Sequence, residues 1–265
     1  MLAKLIKHDM RSMSKLLILM HIPALLLTVA VKYAGVLRLY ALEKPEPIAI
    51  LTICIAVVYL SVTSFFTQLY TAVYSYRKLF SREGYLTLTL PVKASTQVLA
   101  KFLSGSFWIL LNMLILFGAA FYIIRTPQLL QDIRTVFANE FGPHFLQDYI
   151  SFVAILFVGS IVSCFSNMAI ALGCLSFGHC FRKHRVLLAI VGYAGISMLI
   201  QIITFGVQAF TTFGNPRFYE DTLSASDFLA LYRPLLYVTL VTSIVLGITC
   251  YLFSCYVMKR RLNLD

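Results

Sequence analysis

Charge is what this sequence has least of. Asp, Glu, Lys and Arg make up 12% of its 265 residues, against about 25% in an ordinary soluble domain. Six stretches carry no charged side chain at all: Leu16–Val31, Pro47–Tyr76, Phe102–Ile124, Tyr149–Phe181, Val186–Pro216 and Pro234–Met258. With 60% hydrophobic residues and a mean hydropathy of +0.84, this excludes the soluble enzyme classes. Other absences narrow the chemistry. There is no G-x-x-x-x-G-K-[ST] phosphate loop, so the chain is not its own ATPase. There is no H-E-x-x-H zinc helix, and no Asp or Glu interrupts a charge-free stretch, which argues against a proton pump or an ion-coupled transporter. The six cysteines (Cys54, Cys164, Cys174, Cys180, Cys250, Cys255) form no C-x-x-C pair and avoid the outer loops. No metal site and no extracellular disulfide framework is therefore expected, and the thiols read as small apolar packers.

What is present is membrane-spanning sequence. A spanning helix needs about 20 apolar residues, and each charge-free stretch holds one. The expected fold is all-α and integral to the membrane, a single domain over 1–265 with spans near 16–37, 48–76, 102–124, 149–181, 186–213 and 234–258. The first is short, and Lys32 extends it by snorkelling; the long ones should tilt, break or project beyond the bilayer. No A-x-A-like site follows the first apolar run, so cleavage of a leader is not expected. With the N-terminus cytoplasmic, the inner side holds fifteen bases and three acids and the outer side seven bases and eight acids. By the positive-inside rule both termini are cytoplasmic. The pI near 9.5 then reflects topology and attraction to anionic lipid, and no nucleic-acid partner is expected.

Residues 1–15 read as an interfacial amphipathic helix. Leu2, Leu5, Ile6, Met10, Met13, Leu16 and Leu17 recur at helical spacing, and Lys4, Lys7, His8, Arg11 and Lys15 take the other face; such a helix lies in the headgroup plane. In the outer loop 125–148 the apolar spacing predicts a short helix over 129–137. The outer loop 214–233 has a helix start at Ser224 or Ser226 and reads as a cap over the last two spans. The inner segment 77–101 is basic, partly apolar and punctuated by Pro91, with Ser95 a possible cap for the helix that follows. It is far more elaborate than the other inner turn, Arg182–Arg185, and suits either docking of a soluble partner or an interfacial helix resting on lipid.

Polar residues in the spans are neutral, and some are patterned. Gln201, Thr204, Gln208 and Thr211 share one helix face. Tyr59, Thr63, Phe66, Tyr70 and Tyr74 make an aromatic-polar stripe in the second span, and Ser160, Ser163 and Asn167 align in the fourth. Such residues serve either as interhelical hydrogen-bonding contacts or as the lining of a pathway; a neutral lining suits an amphipathic or lipid-like cargo better than a small ion. His21 and Asn112 read as satisfied packing groups. Ser176 near His179 lacks a nucleophile motif. No catalytic residue is assigned.

The stretch Phe80-Ser81-Arg82-Glu83-Gly84-Tyr85-Leu86-Thr87-Leu88-Thr89-Leu90-Pro91-Val92, followed by Lys101, resembles the coupling segment of the membrane subunits of type-2 ABC exporters, in their small bacterial form without a fused ATPase. The six-span layout with a basic N-terminal helix is similar over the whole chain. The resemblance implies a permease of the bacterial plasma membrane, paired with a second copy or a sibling. ATP and magnesium belong to separate soluble ATPase subunits, and no cofactor is expected in this chain. It implies ATPase coupling by Arg77, Arg82, Glu83, Gly84, Tyr85, Leu86 and Pro91. It also implies a pathway lined by the second and fifth spans, where Tyr59, Thr63, Phe66, Tyr70, Gln201, Thr204, Gln208 and Thr211 stand. The small outer loops favour a peptide, drug or lipid cargo over a large polymer, and a role in sensing antimicrobial peptides stays open. The alternatives are a non-transporting anchor or immunity protein, the substrate-binding subunit of a vitamin uptake system or another six-span transporter, and an intramembrane enzyme.

Overall fold

The computed structural model describes residues 2–33, 47–81, 92–124, 142–181, 183–214 and 225–261. These form six helices: α1 (Leu2–Tyr33), α2 (Pro47–Phe80), α3 (Ala94–Ile124), α4 (Gly142–His179), α5 (Arg185–Phe213) and α6 (Ala225–Arg261). All six are long and apolar enough to cross a membrane, and among the described residues there is no strand. The chain is thus a multi-pass, all-helical membrane protein. Their lengths of 29 to 38 residues correspond to roughly 44–57 Å, well beyond a hydrocarbon core of about 30 Å.

Helix ends follow local chemistry. Pro47 opens α2, where its missing N–H costs nothing. α3 starts at Ala94, with the Lys93 carbonyl accepting from the Thr96 and Gln97 amides, so Ser95 lies inside the first turn and not at the cap. Between α4 and α5 the chain turns through His184, held in the left-handed region at φ 58°. Five of the six helices are longer than their charge-free runs, α1, α4 and α6 among them. α1 is continuous from the amphipathic stretch into the first span. α4 begins seven residues before the expected 149, at Gly142. α6 begins just after Ser224 and continues through Pro234 into the last span, so this part of the outer cap is the same helix as the span. The helix expected over 129–137 lies outside the described residues.

Packing organises the helices as two groups of three. α1 packs on α2 and α3, α4 packs on α5 and α6, and α3 against α4 joins the groups. The first and third helices of each group run parallel. In α1 and α3, Asp9 meets Lys101, His21 meets Asn112, and Lys32 meets the Tyr122 carbonyl, so the register holds over the full length. In α4 and α6, Ser151 meets Arg233 and Ser176 meets Ser254, while Gly173 faces Cys250 and Gly247 faces Ser166.

The two parallel pairs use different means. α1 and α3 are fastened by polar rungs. α4 and α6 approach so closely that a Cβ on Gly173 would stand 2.7 Å from Cys250 Cβ, and one on Gly247 2.9 Å from Ser166 Oγ; small residues allow such approach between membrane helices. Gly195 faces open space and Gly192 makes only ordinary contact with Phe177 and Cys174, so neither brings two helices of this chain close together.

Candidate functional site

Two regions emerge, the ends of α2 and α3 that flank the segment 81–93 and the open face of α5. α2 finishes with Leu79 and Phe80 buried in a core cluster that includes Val98, Met168, Leu172 and Met258. The Phe80 ring lies 5.0 Å from the His179 ring. α3 enters the same cluster through Val98, with Ala94 packed at its edge. Both helices flanking the segment 81–93 are therefore seated against α4 and α6. Arg77 is exposed on the last turn of α2, where its carbonyl accepts from Ser81 Oγ at 2.5 Å. Arg82, Glu83, Gly84, Tyr85, Leu86 and Pro91 lie outside the described residues.

One group that the sequence hid stands beside this region. Asp9 is buried on α1, and its Oδ1 accepts from the Tyr74 hydroxyl at 2.9 Å and from Lys101 Nζ at 2.5 Å. Lys101 and Tyr74 are buried as well, and the ammonium stands 5.4 Å from the centre of the Tyr74 ring. Charge pairing offsets the cost of burying either ion, and only the pair makes their burial tolerable. Asp9 continues the buried stripe Met13, Leu17, His21, Ala24, Thr28 and Val31, at spacings of three and four that mark one helix face. The expected basic face, Lys4, Lys7, His8, Arg11 and Lys15, is exposed on the other side.

About one turn beyond Leu17 the polar contacts recur. His21 places Nδ1 2.6 Å from the Leu17 carbonyl and Nε2 3.2 Å from Asn112 Oδ1. Asn112 Nδ2 donates to Ser64 Oγ at 3.0 Å. This chain joins α1, α3 and α2. At the C-terminal end of α1 Lys32 donates to the Tyr122 carbonyl at 3.0 Å and lies 3.8 Å from that ring's centre, so it is held against α3.

The second-span stripe is turned largely into helix contacts. The Tyr59 hydroxyl donates to the Met20 carbonyl of α1 at 3.0 Å. Thr63 is fully buried and donates to the Tyr59 carbonyl. Phe66 stacks on Tyr70, their centres 6.2 Å apart, and Tyr70 packs against the cluster of Met13, Leu17, Tyr74 and Trp108. Sequence reasoning named Thr63 but missed the rest of the inward row it begins, Thr67, Thr71 and Ser75, all essentially inaccessible. Its four-residue spacing was the available signal.

The fifth-span stripe stands differently. α5 is among the least covered helices of the chain. Gln201 is exposed, and Thr204, Gln208 and Thr211 are half-buried. Gln201, Thr204 and Gln208 line a broad open concavity of about 660 Å³ with Met198, Ile202 and Phe205. The Gln208 amide lies 3.4 Å from the Tyr232 hydroxyl of α6, while Thr204 and Thr211 donate to carbonyls one turn back. Elsewhere, the Ser176 hydroxyl is 2.9 Å from both the Leu172 carbonyl and Ser254 Oγ, a contact between helices. All six cysteines are free thiols, and no group of three His, Cys, Asp or Glu suited to a metal occurs among the described residues.

No protein-family description, curated protein or solved structure matches this chain.

Proposed function

We propose that the chain is the membrane permease subunit of an ATP-binding-cassette exporter, moving a peptide, drug or lipid-like cargo across a bacterial plasma membrane with both termini cytoplasmic. The observation that carries this is the mounting of the 81–93 segment. Its sequence resembles a coupling segment, and the helices on both sides of it end in the buried cluster of Leu79, Phe80, Val98, Met168 and Leu172. A stretch mounted in this way passes force into the spans, because packed helices move as units and do not deform continuously. In this reading Arg77, Arg82, Glu83, Gly84, Tyr85, Leu86 and Pro91 meet a soluble ATPase. Apolar side chains such as Tyr85 and Leu86 carry the contact, and rim charges steer it.

The open face of α5 supports the same reading. Gln201, Thr204 and Gln208 present neutral polar groups among apolar ones, on a surface that no other helix of the chain covers fully. A second permease, identical or a sibling, completes a pathway at that face. The test is purification of the tagged chain from its native host in mild detergent, with identification of what accompanies it. A stoichiometric soluble protein with a phosphate loop, lost on Tyr85→Ala, supports the proposal. A chain that arrives alone, or with a small ligand bound, favours the anchor or the substrate-binding subunit instead.

A further inference from the structure

The Asp9 contacts have a geometry that burial alone does not require. Both bonds fall on one oxygen, Oδ1, and Oδ2 has no hydrogen-bond partner in the structure. The donors come from different helices at matching heights. Tyr74 lies seven residues before Ser81, and Lys101 lies seven residues after Ala94, so each stands roughly 10.5 Å from its end of the segment between α2 and α3. Among the nearby bases, Lys78 lies 5.9 Å from the centre of the Tyr74 ring, and His8 reaches Oδ1 only at 4.0 Å from an exposed position. The close partners are therefore Lys101 and Tyr74.

A buried ion pair is a poor source of net stability, since apolar residues of similar volume often do as well. What an apolar patch lacks is direction. An aliphatic contact tolerates sliding, whereas an ammonium and a hydroxyl sharing one oxygen fix two helices to a point. We propose that Asp9 is the positioning residue for the ends of α2 and α3 that face the break between them: one carboxylate oxygen holds both helices, and displacement of either is passed to α1. Through the α1–α3 register it then reaches the His21–Asn112 and Lys32–Tyr122 rungs. The inference goes beyond the permease proposal and does not rest on it, because it concerns how these two helix ends are held and not what binds beside them.

The test is hydrogen exchange, read by mass spectrometry on the full-length chain in lipid nanodiscs. Tyr74→Phe should raise exchange about fivefold over 76–81 and leave 94–101 within about twofold. Lys101→Met should do the reverse, with a rise of about a hundredfold or more over 94–101. Asp9→Asn should loosen both stretches together with 2–8. The charge swap, Asp9→Lys with Lys101→Asp, should return 94–101 toward wild type. Equal rises everywhere, no rise anywhere, or a swap no better than its single variants overturns the proposal. Should Asp9→Asn not accumulate as folded protein, Tyr74→Phe, which removes one hydroxyl, decides the matter alone.

Discussion

The Asp9 carboxylate and the Lys101 ammonium meet at 2.5 Å, though 92 residues separate them in the chain. Each side chain is at most 7% exposed. Removing one partner leaves the other buried and uncompensated, which costs about 3–5 kcal/mol, whereas an apolar pair is often neutral. Asp9→Leu and Lys101→Met should each lower the melting temperature in detergent sharply, and the double variant should recover most of the loss. A double variant that melts no higher than the worse single one sinks this account.

The mid-membrane rung should be weaker. Hydrogen bonds between membrane helices average about 0.6 kcal/mol in double-mutant cycles. A cycle over His21→Ala and Asn112→Ala should give a coupling near that size, well below the one measured for Asp9 and Lys101. A larger coupling at His21 would reverse the ranking.

Glycines divide by what faces them. Gly173 and Gly247 stand against α6 and α4, while Gly195 and Gly206 face open space. Leucine at Gly173 or Gly247 forces the parallel pair apart and should lower stability by about 1–3 kcal/mol or more. Alanine at Gly195 should be neutral or gain up to about 1 kcal/mol by helix propensity. Thermal unfolding of the three variants checks the split, and a destabilised Gly195→Ala indicates a partner seated on α5.

Under the permease proposal, Tyr85→Ala should impair coupling more than Arg82→Ala, because buried aromatics contribute more than rim charges. Partner ATPase retained on the purified chain is the readout, at matched expression. Equal retention by both variants counts against an apolar contact.

Replacing Gln201, Thr204 and Gln208 together with leucine should abolish export while the soluble partner still binds. Unchanged export removes the α5 face from the pathway.

The spans were legible because an apolar run free of charge has few other uses. Where charge was the guide to helix ends, it misled. Asp148 and Arg233 bound charge-free runs, yet α4 and α6 extend past both. In α1 the bases of residues 4–15 suggested a separate interfacial helix, but they occupy only the exposed face of one continuous helix. Asp9 was missed because a lone acid among bases reads as a surface charge. Its place four residues before Met13 and eight before Leu17, on the buried face, was the signal against that. The stripe of Tyr59 and Thr63 shows the converse: a polar face identifies a contact, and only neighbours tell whether that contact is with another helix. Gln201 and Thr204 carried no sequence mark separating them from it.

The parallel pairing of α1 with α3 has a consequence for biosynthesis. At roughly 5–20 residues per second, a ribosome needs on the order of 5–20 s after making Asp9 to reach Lys101. The first helix therefore waits in or beside the translocon with its carboxylate and its imidazole lacking their α3 partners until the third helix emerges. Assembly of the N-terminal half is paced by translation, and slowing synthesis between the second and third spans should lengthen exposure of the nascent first helix to membrane quality control.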